Sequence, residues 1–138
     1  MAEATLHQGK FHDITHFGLR LVIGSVFILH GYGKFNPGFS GFLGQQGIPA
    51  EMQIPIALAE FVPGILVIVG GLTRISASLL SIMMLGAIFH VKKASSLTGQ
   101  GGVELEVMLL AGALVLIVLG PGRISISHVA KKIPRFLQ

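Results

Sequence analysis

From Ile54 to Val91 the chain reads IPIALAEFVPGILVIVGGLTRISASLLSIMMLGAIFHV, a stretch in which Glu60 and Arg74 are the only Asp, Glu, Lys or Arg residues. A spanning helix needs ~20 apolar residues to cross ~30 Å of hydrocarbon, so this segment holds two spans back to back. Only Leu72, Thr73 and Arg74 break the apolar pattern, which forces a tight antiparallel hairpin. Nothing alternates with period two, which argues against a membrane barrel. Working outward, two further apolar runs flank the hairpin, and the expected helices cover about 14–32, 54–73, 75–91 and 103–120. The fold class expected is all-α: a polytopic membrane protein built as an antiparallel four-transmembrane-helix bundle, with residues 1–138 forming one membrane domain.

Composition agrees. Of 138 residues, 51% are hydrophobic and 12% charged, with a mean hydropathy of +0.77, too apolar for a soluble domain of this size. The formal net charge is +4, but the bases are scattered singly or in pairs between apolar runs, so they read as topology signals and not as a nucleic-acid surface. There is no cysteine, which rules out disulfides, thiolate metal sites and iron–sulfur clusters for this chain acting alone. Met1 to Asp13 carries no cationic patch ahead of a short apolar core and does not read as a cleaved signal.

Four spans put both termini on one side. That side holds Lys10, Arg74, Arg123, Lys131, Lys132 and Arg135, against Lys34, Lys92 and Lys93 on the other. Cations resist translocation, so both termini are expected in the cytoplasm of a plasma-membrane protein. The tail 124–138 sets Lys131, Lys132 and Arg135 beside Val129, Ile133, Phe136 and Leu137, the pattern of an amphipathic basic anchor on anionic lipid. The segment Gly33 to Gln53 mixes Phe35, Phe39, Phe42 and Leu43 with glycines, which suits either a headgroup-zone segment or a plain loop. Gly71-Leu72-Thr73-Arg74-Ile75-Ser76 also matches Gly120-Pro121-Gly122-Arg123-Ile124-Ser125 in register, a faint sign of duplicated hairpins.

Glu60 is the most informative position, roughly 10 Å of helix rise below the outer end of its span. A carboxylate there must be protonated, paired or wetted from a cavity; otherwise it serves only to fix packing by bonding a neighbouring helix. Pro63 removes an amide close by, so a free carbonyl and a kink are expected beside it. The outer helix ends gather His30, Lys34, His90, Lys92, Lys93, Glu104 and Glu106. With Glu60, the histidines and a glutamate could bind a metal, hold a quinone headgroup or relay protons; singly, such residues are ordinary at membrane interfaces. Arg20 lies about two turns in from the inner end, and snorkelling to the headgroups is its simplest account. His7, His12 and His16 form an inner group that could bind a metal, although its imidazoles are expected to contact lipid. Gly24, Ser25, Ser78, Ser81, Ala111, Gly112 and Ala113 are small residues suited to close helix contacts.

The chain resembles DoxX/DoxD-type membrane proteins. The matching pieces are Gly18-Leu19-Arg20-Leu21, Leu29-His30-Gly31-Tyr32-Gly33-Lys34, Gly47-Ile48-Pro49, Glu60, Gly70-Gly71-Leu72-Thr73-Arg74, Gly102 with Glu104, and Gly120-Pro121-Gly122-Arg123-Ile124-Ser125, in order from about residue 14 to 128. The resemblance implies a four-helix protein, some of whose relatives are membrane subunits of oxidoreductases while others work with soluble redox proteins or as membrane chaperones. It marks Arg20, His30, Lys34, Glu60, Arg74 and Glu104 as positions to carry over. The functional expectation is a DoxX-like subunit of a membrane redox complex. In it Glu60, His30, His90 and Glu104 form the chemical site, with Arg20 and Lys34 assisting in binding, at an outer pocket that contacts quinone or passes protons. Without thiols or a cofactor motif the chain is not expected to catalyse electron transfer by itself; the expected partners are the lipid bilayer, other membrane subunits or a second copy of the chain, and a soluble redox protein. The alternative is a non-enzymatic accessory or assembly subunit of a larger complex; a small transporter is less favoured.

Overall fold

The computed structural model describes residues 9–93, 96–99, 102–129, 134 and 136–138. Among these there is no strand. The helices are α1 (Lys10–Gly33), α2 (Gly38–Gln45), α3 (Gln53–Val69), α4 (Thr73–Gly86), α5 (Glu104–Leu119) and the short α6 (Ile126–Val129). A 3-10 turn, Ala50–Met52, leads into α3, and a π-helical turn, Ala87–Val91, continues α4. Among the described residues three units are long and apolar enough to cross a membrane: α1 with 24 residues, Ala50–Val69 with 20 and Thr73–Val91 with 19. The fourth long helix, α5, has 16 residues. It rises about 24 Å, short of a full span, and packs along α4.

The bundle is two hairpins laid side by side. α1 packs chiefly on α3, and α4 on α5, with α3 against α4 joining the halves. Lipid is as apolar as leucine, so these helices gain little from hiding apolar surface and must associate through close packing. Glycines make that possible. A Cβ on Gly24 would lie 2.6 Å from the Gly64 carbonyl oxygen, one on Gly31 2.8 Å from the Ala57 carbonyl oxygen, and one on Gly112 2.5 Å from Ile23. Gly24 and Gly112 thus act as expected, and Ser81 is buried in the bundle; the Ser78 and Ser81 hydroxyls satisfy themselves on their own helix, donating to the Arg74 and Ala77 carbonyls at 2.7 and 2.8 Å. Phe27, Val67, Leu80, Ala113 and Leu116 fill the centre, while Val22, Leu29, Ile82 and Val118 stand outward as the lipid-facing surface.

Between α3 and α4 the turn is as tight as expected. Gly70 takes φ 73°, its neighbour Gly71 donates to the Leu66 carbonyl, and Leu72 is left-handed at φ 51°. A non-glycine residue in that region costs roughly 1–2 kcal/mol. The segment between α1 and α3 is not a plain loop. Its glycines and phenylalanines form α2, with Phe39 and Phe42 stacked 5.7 Å apart and Leu43 buried. The chain after α5 folds back over the bundle end that holds the start of α1. Ser127 N–H donates to the Gly70 carbonyl at 3.2 Å, and Arg74 N–H to the Gln138 carbonyl at 3.0 Å. Of the expected amphipathic tail, Lys131, Lys132, Ile133 and Arg135 lie outside the described residues, as does His7.

Candidate functional site

The antiparallel hairpins bring the C-terminal ends of α1 and α4 together with the N-terminal ends of α3 and α5, and α2 lies across them. Between them is a cavity of about 590 Å³. Its walls are mainly apolar: Phe39, Phe42, Leu43 and Ile48 from the α2 region, Ile56 from α3, Met83 and Met84 from α4, and Leu105 and Leu109 from α5. Set among them are His30, Lys34, Glu60, His90, Lys92 and Glu106.

Glu60 is 1% exposed. Of the three fates open to a carboxylate at this depth, pairing is the one seen: Lys34 Nζ donates to Glu60 Oε1. The turn carrying Lys34 is itself clamped, because Gln53 Nε2 donates to the carbonyls of Lys34 and Asn36 at 3.0 and 2.8 Å. Glu60 Oε2 is buried with no hydrogen-bond partner. A buried carboxylate oxygen left without a hydrogen-bond donor is costly. α3 runs on through Pro63, whose missing amide lies one turn beyond the acid.

Across the cavity a second pair forms, with Lys92 Nζ 2.8 Å from Glu106 Oε1 and 2.8 Å from the Gly102 carbonyl oxygen. Here the expected acid gives way to its neighbour. Glu104 is exposed and does not line the cavity, whereas Glu106 does. Two residues apart on a helix are about 200° apart around its axis, so only one of the two can face inward. The histidines are placed as expected, at one end of the bundle and in one cavity. His30 Nδ1 lies 2.8 Å from the Val26 carbonyl oxygen, and His90 Nε2 3.0 Å from that of Gln46. His90 sits in the π turn, where Lys92 N–H reaches back five residues to the Ala87 carbonyl at 3.0 Å; such turns recur at functional sites, and nothing in the apolar pattern announces one. Among the described residues no three of His, Asp or Glu converge as a metal site.

Arg20 is not part of this cavity and does not snorkel. It is 1% exposed, donates through Nη2 to the Ile124 carbonyl and lies over Phe17 at 5.3 Å from the ring centroid. The returning segment after α5 covers it, which a strand of sequence a hundred residues away could not reveal. His16, expected at lipid, is likewise buried, with Nε2 2.9 Å from the Gly120 carbonyl oxygen. Arg123 then approaches Asp13 at 3.7 Å. These contacts lock the opposite end of the bundle.

The DoxX family profile matches residues 16–93, more than half of the chain. The chain belongs to the DoxX family. The matched segment spans Lys34, Glu60, His30, His90 and Lys92, while Glu106 lies beyond it. The protein named "Putative oxidoreductase CatD" from Bacillus subtilis (strain 168) is 35% identical over 116 residues, covering 82% of this chain and 84% of that protein. The inner membrane protein YqjF of Escherichia coli (strain K12) is 27% identical over 128 residues, 89% of this chain and 97% of its own length. No solved structure matches.

Proposed function

We propose that this DoxX protein is a membrane subunit of a redox complex and that its cavity takes up a quinone-class ring, exchanging protons with it through Glu60 and the two histidines. The observation that carries this is Glu60 Oε2, a buried carboxylate oxygen without a partner, facing a mainly apolar cavity that also holds two imidazoles. Few concave apolar sites carry such a small, convergent polar set without binding a ligand. The residues fit a quinone-class ring: Ile56, Met83 and Leu109 suit the ring and tail, the Lys34 ammonium can donate to a ring carbonyl, and the carboxylate and imidazoles can accept from a ring hydroxyl. A bound quinone would supply a two-electron, two-proton couple. The chain's own part is to orient the ring, exclude water and hold protons, with electrons passing to or from a partner subunit or soluble redox protein. The name carried by CatD supports a redox role. The six-to-three distribution of cations supports cytoplasmic termini, with the cavity at the opposite face.

A second role is favoured by one feature. The Lys34–Glu60 and Lys92–Glu106 pairs also tie helices together, as an assembly subunit would need. One experiment separates the two. The protein is purified in mild detergent and its bound small molecules are extracted, with wild type compared to Glu60→Gln. Co-purified quinone that is lost in the variant is the expected result. Absence of quinone in both, with partner association lost in the variant, would assign the accessory role instead.

A further inference from the structure

The polar atoms of the cavity are not evenly divided between donors and acceptors. A carbonyl oxygen can only accept, so His30 Nδ1 and His90 Nε2, which lie against the carbonyls of Val26 and Gln46, must each carry a proton. In a neutral imidazole the other nitrogen is then an acceptor. His30 Nε2 and His90 Nδ1 are then acceptors, and both residues line the cavity. Glu60 Oε2 and Glu106 Oε2 are both buried and have no hydrogen-bond partner, and an ionised carboxylate accepts only. Each of the two acids is paired with an ammonium through its other oxygen, Glu60 with Lys34 and Glu106 with Lys92.

The donors are partly engaged: each ammonium has three hydrogens, of which Lys34 gives one to a carboxylate and Lys92 gives two away. Lys34 Nζ serves Glu60 Oε1 and stands 5.8 Å from the Phe39 ring centroid. Lys92 Nζ serves both Glu106 Oε1 and the Gly102 carbonyl. A ring bearing only carbonyl oxygens could accept from a remaining ammonium hydrogen but has nothing to donate, and would leave Glu60 Oε2 unsatisfied. A ring bearing hydroxyls would satisfy it.

Resting on the ring-binding role above, we propose that the cavity selects the reduced form of its ligand, a hydroquinone-type diol. One hydroxyl donates to Glu60 Oε2 and the other to an imidazole nitrogen or to Glu106 Oε2. Discrimination follows from the buried acceptors: a site built to receive a ligand O–H rejects the analogue lacking it, because its own polar atoms are then stranded.

The test uses the full chain in detergent and three probes of nearly one shape: 2,3-dimethyl-1,4-naphthoquinone, its hydroquinone kept reduced under anaerobic dithionite, and the bis-methyl ether of that hydroquinone. The chain has no cysteine, so the quinone cannot be captured by a thiol. Binding is measured by equilibrium dialysis against protein-free micelles, which subtracts partition into detergent. The hydroquinone should bind at least about tenfold more tightly than either other probe, the ratio expected for one hydrogen bond to a charged acceptor. Glu60→Gln should reduce that preference severalfold, while the wild-type comparison depends on no variant folding. Quinone or ether binding as tightly as the hydroquinone would overturn the selectivity and leave the ring cavity standing. If none of the three binds above the micelle blank, the ring cavity itself falls, and the selectivity with it.

Discussion

The hairpin of α1 and α3 and the hairpin of α4 and α5 carry the same two devices at different depths. In each, a lysine just past the end of the first helix pairs with a glutamate on the second: Lys34 with Glu60, and Lys92 with Glu106. In each, an arginine of the first helix lies against the glycine that ends the second. Arg20 meets Gly70, and a Cβ on Gly120 would lie 3.1 Å from Arg74 Nε. A guanidinium at that position faces the negative end of the helix dipole. The difference is where the acid sits. Glu60 is the eighth residue of α3 and its side chain is 2% exposed; Glu106 is the third residue of α5 and its side chain is 14% exposed. The second acid has the positive dipole of its own helix start to help it, and the first depends on its lysine alone. One framework thus supplies a deep, dependent carboxylate and a shallow, self-supporting one to opposite walls of a single cavity.

The largest expected effect comes from removing each lysine in turn. Lys34→Met leaves Glu60 buried and uncompensated, and loss of one member of a buried pair costs about 3–5 kcal/mol. The variant should show a collapse of the monodisperse peak on heating well below the wild-type midpoint. Lys92→Met should cost no more than about 1 kcal/mol, because its partner is shallower and dipole-assisted. Equal losses would break the comparison, showing that depth is not what separates the two acids. Lys34→Met combined with Glu60→Leu should recover most of the stability, since an apolar pair replaces a charged one, while abolishing retention of any ring ligand.

A smaller effect is expected where the first hairpin closes. A Cβ on Gly31 would stand 2.6 Å from Phe61 N and 2.8 Å from the Ala57 carbonyl oxygen. Both are backbone atoms of a packed helix and cannot yield as a flexible side chain would. Gly31→Ala should therefore push α1 from α3 at a cost of about 1–3 kcal/mol and loosen the Lys34–Glu60 contact one turn away. A lowered thermal midpoint together with weaker ligand retention is the expected pair of results. A lowered midpoint with retention intact would show that the ion pair holds its geometry independently of the helix spacing.

The same contrast explains what was legible in the sequence. Apolar run length gave the long helices, because a span must satisfy its own backbone in lipid. Glu60 stood out because a charge within such a run needs a reason, and both histidines fell at the expected end because antiparallel connectivity leaves no other place for them. Lys34 could be named but not its role, since sequence does not show which cation reaches which acid. Glu106 could not be told from Glu104, because the rotation of α5 about its axis is set by packing on α4 and not by the chain's own pattern. Arg20 and His16 were misplaced for a different reason: their surroundings come from the segment after Gly120. The match of 71–76 with 120–125 is one residue out at the helix ends, because Gly70 and not Gly71 caps α3 whereas Gly120 caps α5. It does not hold for arginine, because Arg74 goes to Gly120 whereas Arg123 goes to Asp13.

The smallest effect should have the opposite sign. Gly86 ends α4 much as Gly31 lies near the end of α1, yet a Cβ there would meet nothing within 4 Å. α4 is not pressed against its neighbours at this level, because the cavity occupies the space that α3 fills beside Gly31. A helical glycine freed of such a constraint only adds backbone entropy to the unfolded chain, so Gly86→Ala should stabilise by about 0.5–1 kcal/mol. A thermal midpoint raised slightly, set against the drop for Gly31→Ala, would tie the asymmetry of the two hairpins to the open space between them. If Gly86→Ala lowered the midpoint as Gly31→Ala does, the second hairpin would have to close as tightly as the first, and a ring-sized cavity would have no room to exist.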